Sequence, residues 1–346
     1  MGNQEHDRLI ETVTLSQAKA LLHALAREQS LLLLSPPGAG KSECVAQAAA
    51  EAGLVCRSLL GTQIAPEDVS GIPRIVGERS VFCPPRVLLP DNPEPFCLFL
   101  DELPACAPDV QKAFYSLLLE RRLGEHALPK GTWVVAAGNR AQDRALVRAL
   151  STALINRVTI LNVRVDVREW LTWAGAHNIR ADILAFITFL PEALMRPVPV
   201  QPVPFSTPRA WALLSRALDL VEEAGLKGAE IRRALAFGRV TPEDAAIFCA
   251  MAEEAIEQVL PARDYIEAPE RLPKEDAALW FVLHRIRGLV GRRELGDFPP
   301  DKINRFLLAL PPDHRFALLV SLVEEWGALG ADESMFDSLR EATGLS

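Results

Sequence analysis

The chain has 346 residues, 49% of them hydrophobic and 24% charged, the make-up of a globular protein long enough for about two domains of roughly 150 residues. Its formal net charge of −8 excludes a large nonspecific affinity for nucleic acid driven by the field of the whole molecule. The six cysteines form no CxxC pair and have no histidines at zinc-ligand spacing, so most read as small buried hydrophobes. With neither a basic-apolar leader nor a run of about 18 apolar residues, a cytoplasmic protein without a membrane segment is expected.

From about residue 12 to 160, short apolar runs alternate with helical patterns, which predicts a parallel sheet covered by helices. The strands are "SLLLLS" (30–35), "VCRSLL" (55–60), "FCLFLDE" (96–102), "WVVAAG" (133–138) and "RVTILNV" (157–163). Each is nearly continuously apolar, as a strand buried on both faces should be. Helices are expected near 41–52, 108–122 and 145–155. After about residue 166 the strand signals stop and helical patterns take over, interrupted by the proline-rich connector 195–209. A further break in 261–276 leaves three or four helices to the end. The division expected is an α/β nucleotide-binding domain over 1–165, an all-α lid over 166–264 and a helical C-terminal extension over 265–346.

The first strand runs into Ser35-Pro36-Pro37-Gly38-Ala39-Gly40-Lys41-Ser42 and then a helix, a phosphate-binding loop in all but Ser35, where the pattern has glycine. Gly38 and Gly40 let the backbone wrap a phosphate, so that the loop from Pro37 to Glu43, through the N–H groups that follow the proline, and the helix N-terminus face it. Lys41 suits the β- and γ-phosphates, and Ser42 a magnesium ion. About 60 residues on, a strand ends in Asp101-Glu102, one carboxylate for the Mg2+ shell and the other for the attacking water. A third strand ends in Gly138-Asn139, whose amide can hold that water or sense the γ-phosphate. Arg157 follows a helix and could serve as an arginine finger for a neighbouring subunit. Arg209 stands at a helix N-terminus, where a cation does not help the helix dipole.

The order SPPGAGKS, LFLDEL, AAGNR, LINRV and TPRAW resembles an AAA+ ATPase, and within that superfamily the MoxR-like group. The stretch "GTQIAPEDVSGIPRIVGERSVFCPPRVLL" is similar to that group's segment in which a D-x-x-G turn precedes a hairpin with a Gly-Glu tip. "GRVTPEDA" (238–245) is similar to the close of its lid. The likeness spans roughly residues 10–262. It implies an ATP- and Mg2+-dependent ring, usually a homohexamer, that remodels a client, often one with a von Willebrand factor A domain. It makes Asn139 sensor 1, Arg157 the finger and Arg209 sensor 2, the last acting in its own subunit or, with a displaced lid, on a neighbour's nucleotide. Arg140, Arg144 and Arg148 also lie near the subunit edge implied. "INRV" departs from the group's Asp-Arg-Phe, and nothing past about 265 has a counterpart. A DNA-directed motor and a non-hydrolysing scaffold are the alternatives; the acidic balance and Glu78 count against the first, Glu102 against the second. Adenine over guanine is not decided.

Overall fold

The computed structural model describes residues 11–336, apart from Val87, Asn92, 141–142, 144–149, Lys227, 259–260, Glu275, Arg292, 321–322 and Glu333. Two compact units divide it. The first holds the chain to Trp170 together with Pro197–Pro202 and Thr207–Arg209. The second holds Leu171–Arg196, Val203–Ser206 and everything from Ala210.

Among its described residues the first unit has ten strands: β1 (Thr12–Val13), β2 (Leu31–Leu34), β3 (Val55–Leu60), β4 (Ile72–Val76), β5 (Arg79–Cys83), β6 (Phe96–Asp101), β7 (Arg122–Leu123), β8 (His126–Ala127), β9 (Trp133–Gly138) and β10 (Thr159–Val163). Six form one parallel sheet in the order β1-β10-β2-β9-β6-β3. Alternation along the strands divides their side chains between two cores. Phe96, Leu98 and Leu100 of β6 and Val134 and Ala136 of β9 enter one, with Phe114, Leu117 and Leu154. Cys97, Phe99, Trp133, Val135 and Ala137 enter the other, with Ala18, Leu22, Val45 and Ala48. A strand buried on both faces needs apolar residues at every position, which is why β2, β6 and β9 are legible as unbroken runs. Each fully buried Leu, Val or Phe contributes about 1.5–3 kcal/mol.

Several details depart from the expected elements. The helix expected over 108–122 breaks at Phe114 into Pro108–Ala113 and Tyr115–Glu120, and Arg121, in the left-handed region at φ 53°, ends it ahead of the β7–β8 hairpin. The last strand starts at Thr159 rather than Arg157, because the turn after helix Thr152–Ile155 still bonds the Arg157 N–H to Leu154 O at 2.9 Å. Of the helix expected over 145–155, positions 145–149 lie outside the described residues. β1 and helix Leu15–Leu25 went unpredicted; the latter has a capping box of Thr14 and Gln17. The hairpin after Gly71 is present as β4 and β5, turning at Gly77-Glu78, and Ile72, Ile75, Val76 and Phe82 on it are exposed. Four cysteines are buried, Cys56 is half-buried, and Cys83 on β5 is exposed.

The second unit is helical among its described residues. Phe186, Trp211 and Phe248 meet with ring centroids 5.1–5.7 Å apart, and Trp211 donates its indole N–H to Ala193 O at 2.7 Å. Helices Ala262–Glu267, Asp276–Gly291, Pro300–Ala309, Pro312–Val320 and Val323–Ala328 surround a core containing Tyr265, Ile286, Phe306 and Trp326. No helix among the described residues is long and apolar enough to cross a membrane. The proline-rich stretch stays non-helical until Pro208 and is tied down by the fully buried Asp244, which accepts from Arg196 Nη2 at 2.6 Å and from Ser206 Oγ at 2.6 Å. Asp244→Ala leaves the buried Ser206 O–H without an acceptor, its oxygen still accepting from the Thr241 N–H at 3.1 Å, while Arg196 can still reach water. It should cost about 2 kcal/mol, read as a lower urea midpoint followed by Trp211 fluorescence. An unchanged midpoint would mean the carboxylate does not hold the connector.

Candidate functional site

Parallel strands with the right register place their C-terminal ends side by side, the edge at which open α/β sheets bind ligands. Leu34 of β2 is level with Gly138 of β9, and Leu100 of β6 with Ala136. Ser35, Asp101-Glu102 and Asn139 therefore leave three neighbouring strands at one edge, although they lie far apart in the chain.

The loop after β2 folds back on itself to reach helix Lys41–Glu51. Gly38 (φ +76°) and Gly40 (φ +105°), the helix N-cap, are both in the left-handed region. At Gly38 a Cβ would lie 2.6 Å from Thr207 Oγ1, so side-chain bulk is excluded as well as disfavoured. Lys41 is 7% exposed, and its ammonium group is held by oxygens that carry no charge: Ser35 Oγ at 2.9 Å, Ser35 O at 3.1 Å, Pro36 O at 3.3 Å and Asn139 Oδ1 at 3.4 Å. Burial pushes its pKa from 10.5 down to about 8, with Asp101 countering and Arg209 reinforcing the shift. Ser35, the departure from the phosphate-loop pattern, is itself fully buried and supplies two of these oxygens.

Ser42 Oγ donates to Asp101 Oδ2 at 3.0 Å, while Asp101 Oδ1 accepts from the Glu102 N–H at 3.0 Å. A hydroxyl and a carboxylate brought together in this way are hard oxygen donors suited to Mg2+. Glu102 sits at φ 58°, an uncommon conformation for a residue other than glycine, and its Oε2 accepts from Thr62 Oγ1 at 3.4 Å. The turn Leu103–Ala105 then passes so close to β9 that a Cβ at position 138 would meet Pro104 Cδ at 2.2 Å, which explains why Gly138 precedes Asn139.

The predicted residues fall into two groups. Lys41 bonds to Asn139 and its neighbour Ser42 to Asp101, and Glu102 follows Asp101 in the chain. Arg209, at the exposed start of helix Pro208–Glu223, joins the loop through its backbone N–H, which donates to Gly38 O at 3.1 Å. Glu43 is exposed and accepts from Gln47 at 2.9 Å. Arg157 takes no part in these bonds; its guanidinium lies over the Tyr115 ring. Arg140 makes a two-point contact with Asp143, at 3.0 Å through Nε and 2.8 Å through Nη2. Arg144 and Arg148 lie outside the described residues. Thr62 and Asp143 were not singled out from the sequence, since single polar residues at strand and helix ends carry no spacing signal.

Residues 30–161 match the model of the AAA domain (dynein-related subfamily). Comparison with curated proteins gives no match. Among solved structures, the Thermotoga maritima RuvB Holliday junction branch migration motor is similar at 15% identity, covering 94% of this chain and 86% of that one, with a TM-score of 0.36. A proline-to-glycine mutant of the same protein gives 16% identity, 95% and 89% coverage, and a TM-score of 0.39.

The buried ammonium has a measurable consequence for the nucleotide-free protein. Because its folded pKa lies below the unfolded one, the unfolded chain holds more protons between about pH 8 and pH 10.5, and the fold gains stability as pH rises through that window. Lys41→Met lacks this gain. The variant's melting temperature relative to the parent should be most favourable below pH 8 and become less so toward pH 10. A pH-independent difference would show that burial does not depress the Lys41 pKa.

Proposed function

Residues 30–161 being an AAA domain, an ATPase module, we propose that the protein hydrolyses ATP as a ring oligomer, usually of six subunits in the group it resembles, and uses the cycle to remodel or activate a client protein. The observation that carries this reading is a pair of hydrogen bonds from adjacent residues, Lys41 to Asn139 and Ser42 to Asp101, with Glu102 next in the chain after Asp101. A buried ammonium among neutral oxygens supports recognition of an anion, and Lys41 would exchange those oxygens for β- and γ-phosphate oxygens. When bound, Mg2+ supplies positive charge at those oxygens, with Ser42 and Asp101 to hold it.

Hydrolysis adds water to the γ-phosphorus as the bond to the β-bridging oxygen breaks, giving ADP and phosphate. Glu102 is the carboxylate placed to orient the water and take its proton, with Asn139 orienting from the neighbouring strand tip. The bond from the Arg209 N–H to Gly38 supports action of Arg209 at the nucleotide of its own subunit. Arg157 is proposed to act on the neighbouring copy's nucleotide, a contribution of about 10³ or more in rate for such residues. The exposed β4–β5 hairpin is the proposed coupling element, with a client bearing a von Willebrand factor A domain as the partner the resemblance favours. The negative net charge supports a protein client over nucleic acid.

Glu102→Gln tests the reading. It should bind ATP as tightly as the parent and hydrolyse it at least about a hundredfold more slowly, measured by phosphate release. Parental turnover in this variant would assign the water to another residue.

A further inference from the structure

Arg157 is held in a way that the nucleotide site of its own subunit does not explain. Its Cζ lies 4.9 Å from the centroid of the Tyr115 ring. Nη1 donates to Ala153 O at 2.7 Å, while Nε is enclosed without a hydrogen-bond partner. Among the described residues no carboxylate is paired with it. An aromatic face can orient a guanidinium without neutralising it, whereas a carboxylate would cancel the charge.

The same tyrosine also reaches the segment that carries the arginine. Tyr115 OH lies 2.5 Å from Ser151 Oγ, and Ser151 Oγ accepts from the Leu154 N–H at 3.2 Å, capping helix Thr152–Ile155. Ala153, which receives the guanidinium hydrogen bond, is in that helix, and Leu154 accepts from the Arg157 N–H at 2.9 Å. One side chain therefore touches both the guanidinium and the start of the helix from which it projects. Tyr115 opens helix Tyr115–Glu120, on the chain that leads on from Asp101-Glu102.

We propose that Tyr115 is a positioning residue for Arg157: its ring sets the plane of the guanidinium, its hydroxyl fixes the supporting helix through Ser151, and the uncancelled charge is presented to the nucleotide of a neighbouring copy. This rests on the reading of Arg157 as a trans-acting finger. Tyr115 then affects the neighbour's active site and leaves its own subunit's nucleotide pocket intact, a pattern that loss of packing would not produce.

Mixed assemblies test both levels. Glu102→Gln subunits have an intact arginine and a silent site of their own. Tyr115→Leu alone should turn over about tenfold more slowly than the parent with its KM for ATP within about twofold, and excess Glu102→Gln subunits should restore turnover per Tyr115→Leu subunit. Arg157→Ala should be slower still and be restored likewise. Tyr115→Phe, which keeps the ring, should lose no more than about threefold. If Tyr115→Leu is parental alone, or stays slow in the mixture while Arg157→Ala is restored, the role of Tyr115 is overturned and the finger stands. If Arg157→Ala is not slow, or is not restored, the finger reading fails and takes the proposal with it. Should Tyr115→Leu not fold, Ser151→Ala, which removes the partner of the phenol and the helix cap together, is expected to be slowed about threefold and restored by excess Glu102→Gln subunits, and failure of either overturns the proposal.

Discussion

A buried ammonium held only by neutral oxygens is the constraint on which the rest of the first unit depends. Lys41 is in the first turn of its helix, and its Nζ reaches back to Ser35, Pro36 and Asn139. That closure requires a loop that doubles back, and hence left-handed glycines. It requires β2 and β9 to be neighbours, and hence a chain that crosses over between them. It also requires close packing, because the oxygens compensate the lost hydration only if water is kept from replacing them. The depressed pKa measures how incomplete the compensation is. An anion would complete it.

Charge is distributed around this centre by sheet register. Asp101 reaches Ser42 because β6 is the second strand along from β2, and its backbone neighbour Glu102 is turned by a positive φ. The unusual φ and the crowding of Pro104 against Gly138 are at the same edge, where strained backbone is most often retained for function. Arg157 takes no part in these bonds and lies over the Tyr115 ring, the arrangement on which its proposed action at another copy rests.

Strands β2, β6 and β9 were legible because burial on both faces removes the polar alternation that other strands show; β3, at the sheet edge, is apolar in sequence yet buries none of its residues fully. The phosphate loop was legible because its glycines, lysine and serine are fixed by local backbone geometry and chemistry. β1 was not: two residues paired at a sheet edge give no periodicity, and their strand character comes from pairing with β10. The break at Phe114 escaped notice because its hydrophobic pattern continues through both helical pieces. Thr62 and Tyr115 acquire roles only through residues distant in sequence, and no spacing rule reveals such partners. The proline-rich connector read correctly as non-helical, but its anchoring by Asp244 comes from a helix nearly 40 residues further on.

The claim on which everything else rests is that Lys41 recognises the outer phosphates of a nucleotide. Calorimetric titration of the parent and of Lys41→Ala with ATP and with AMP, each with Mg2+, tests it most directly. The parent should bind ATP at least about tenfold more tightly than AMP, as loss of a charge-assisted contact to phosphate implies, and the variant should lose that preference. Equal affinity of parent and variant for ATP, with the preference over AMP intact in both, would contradict the account.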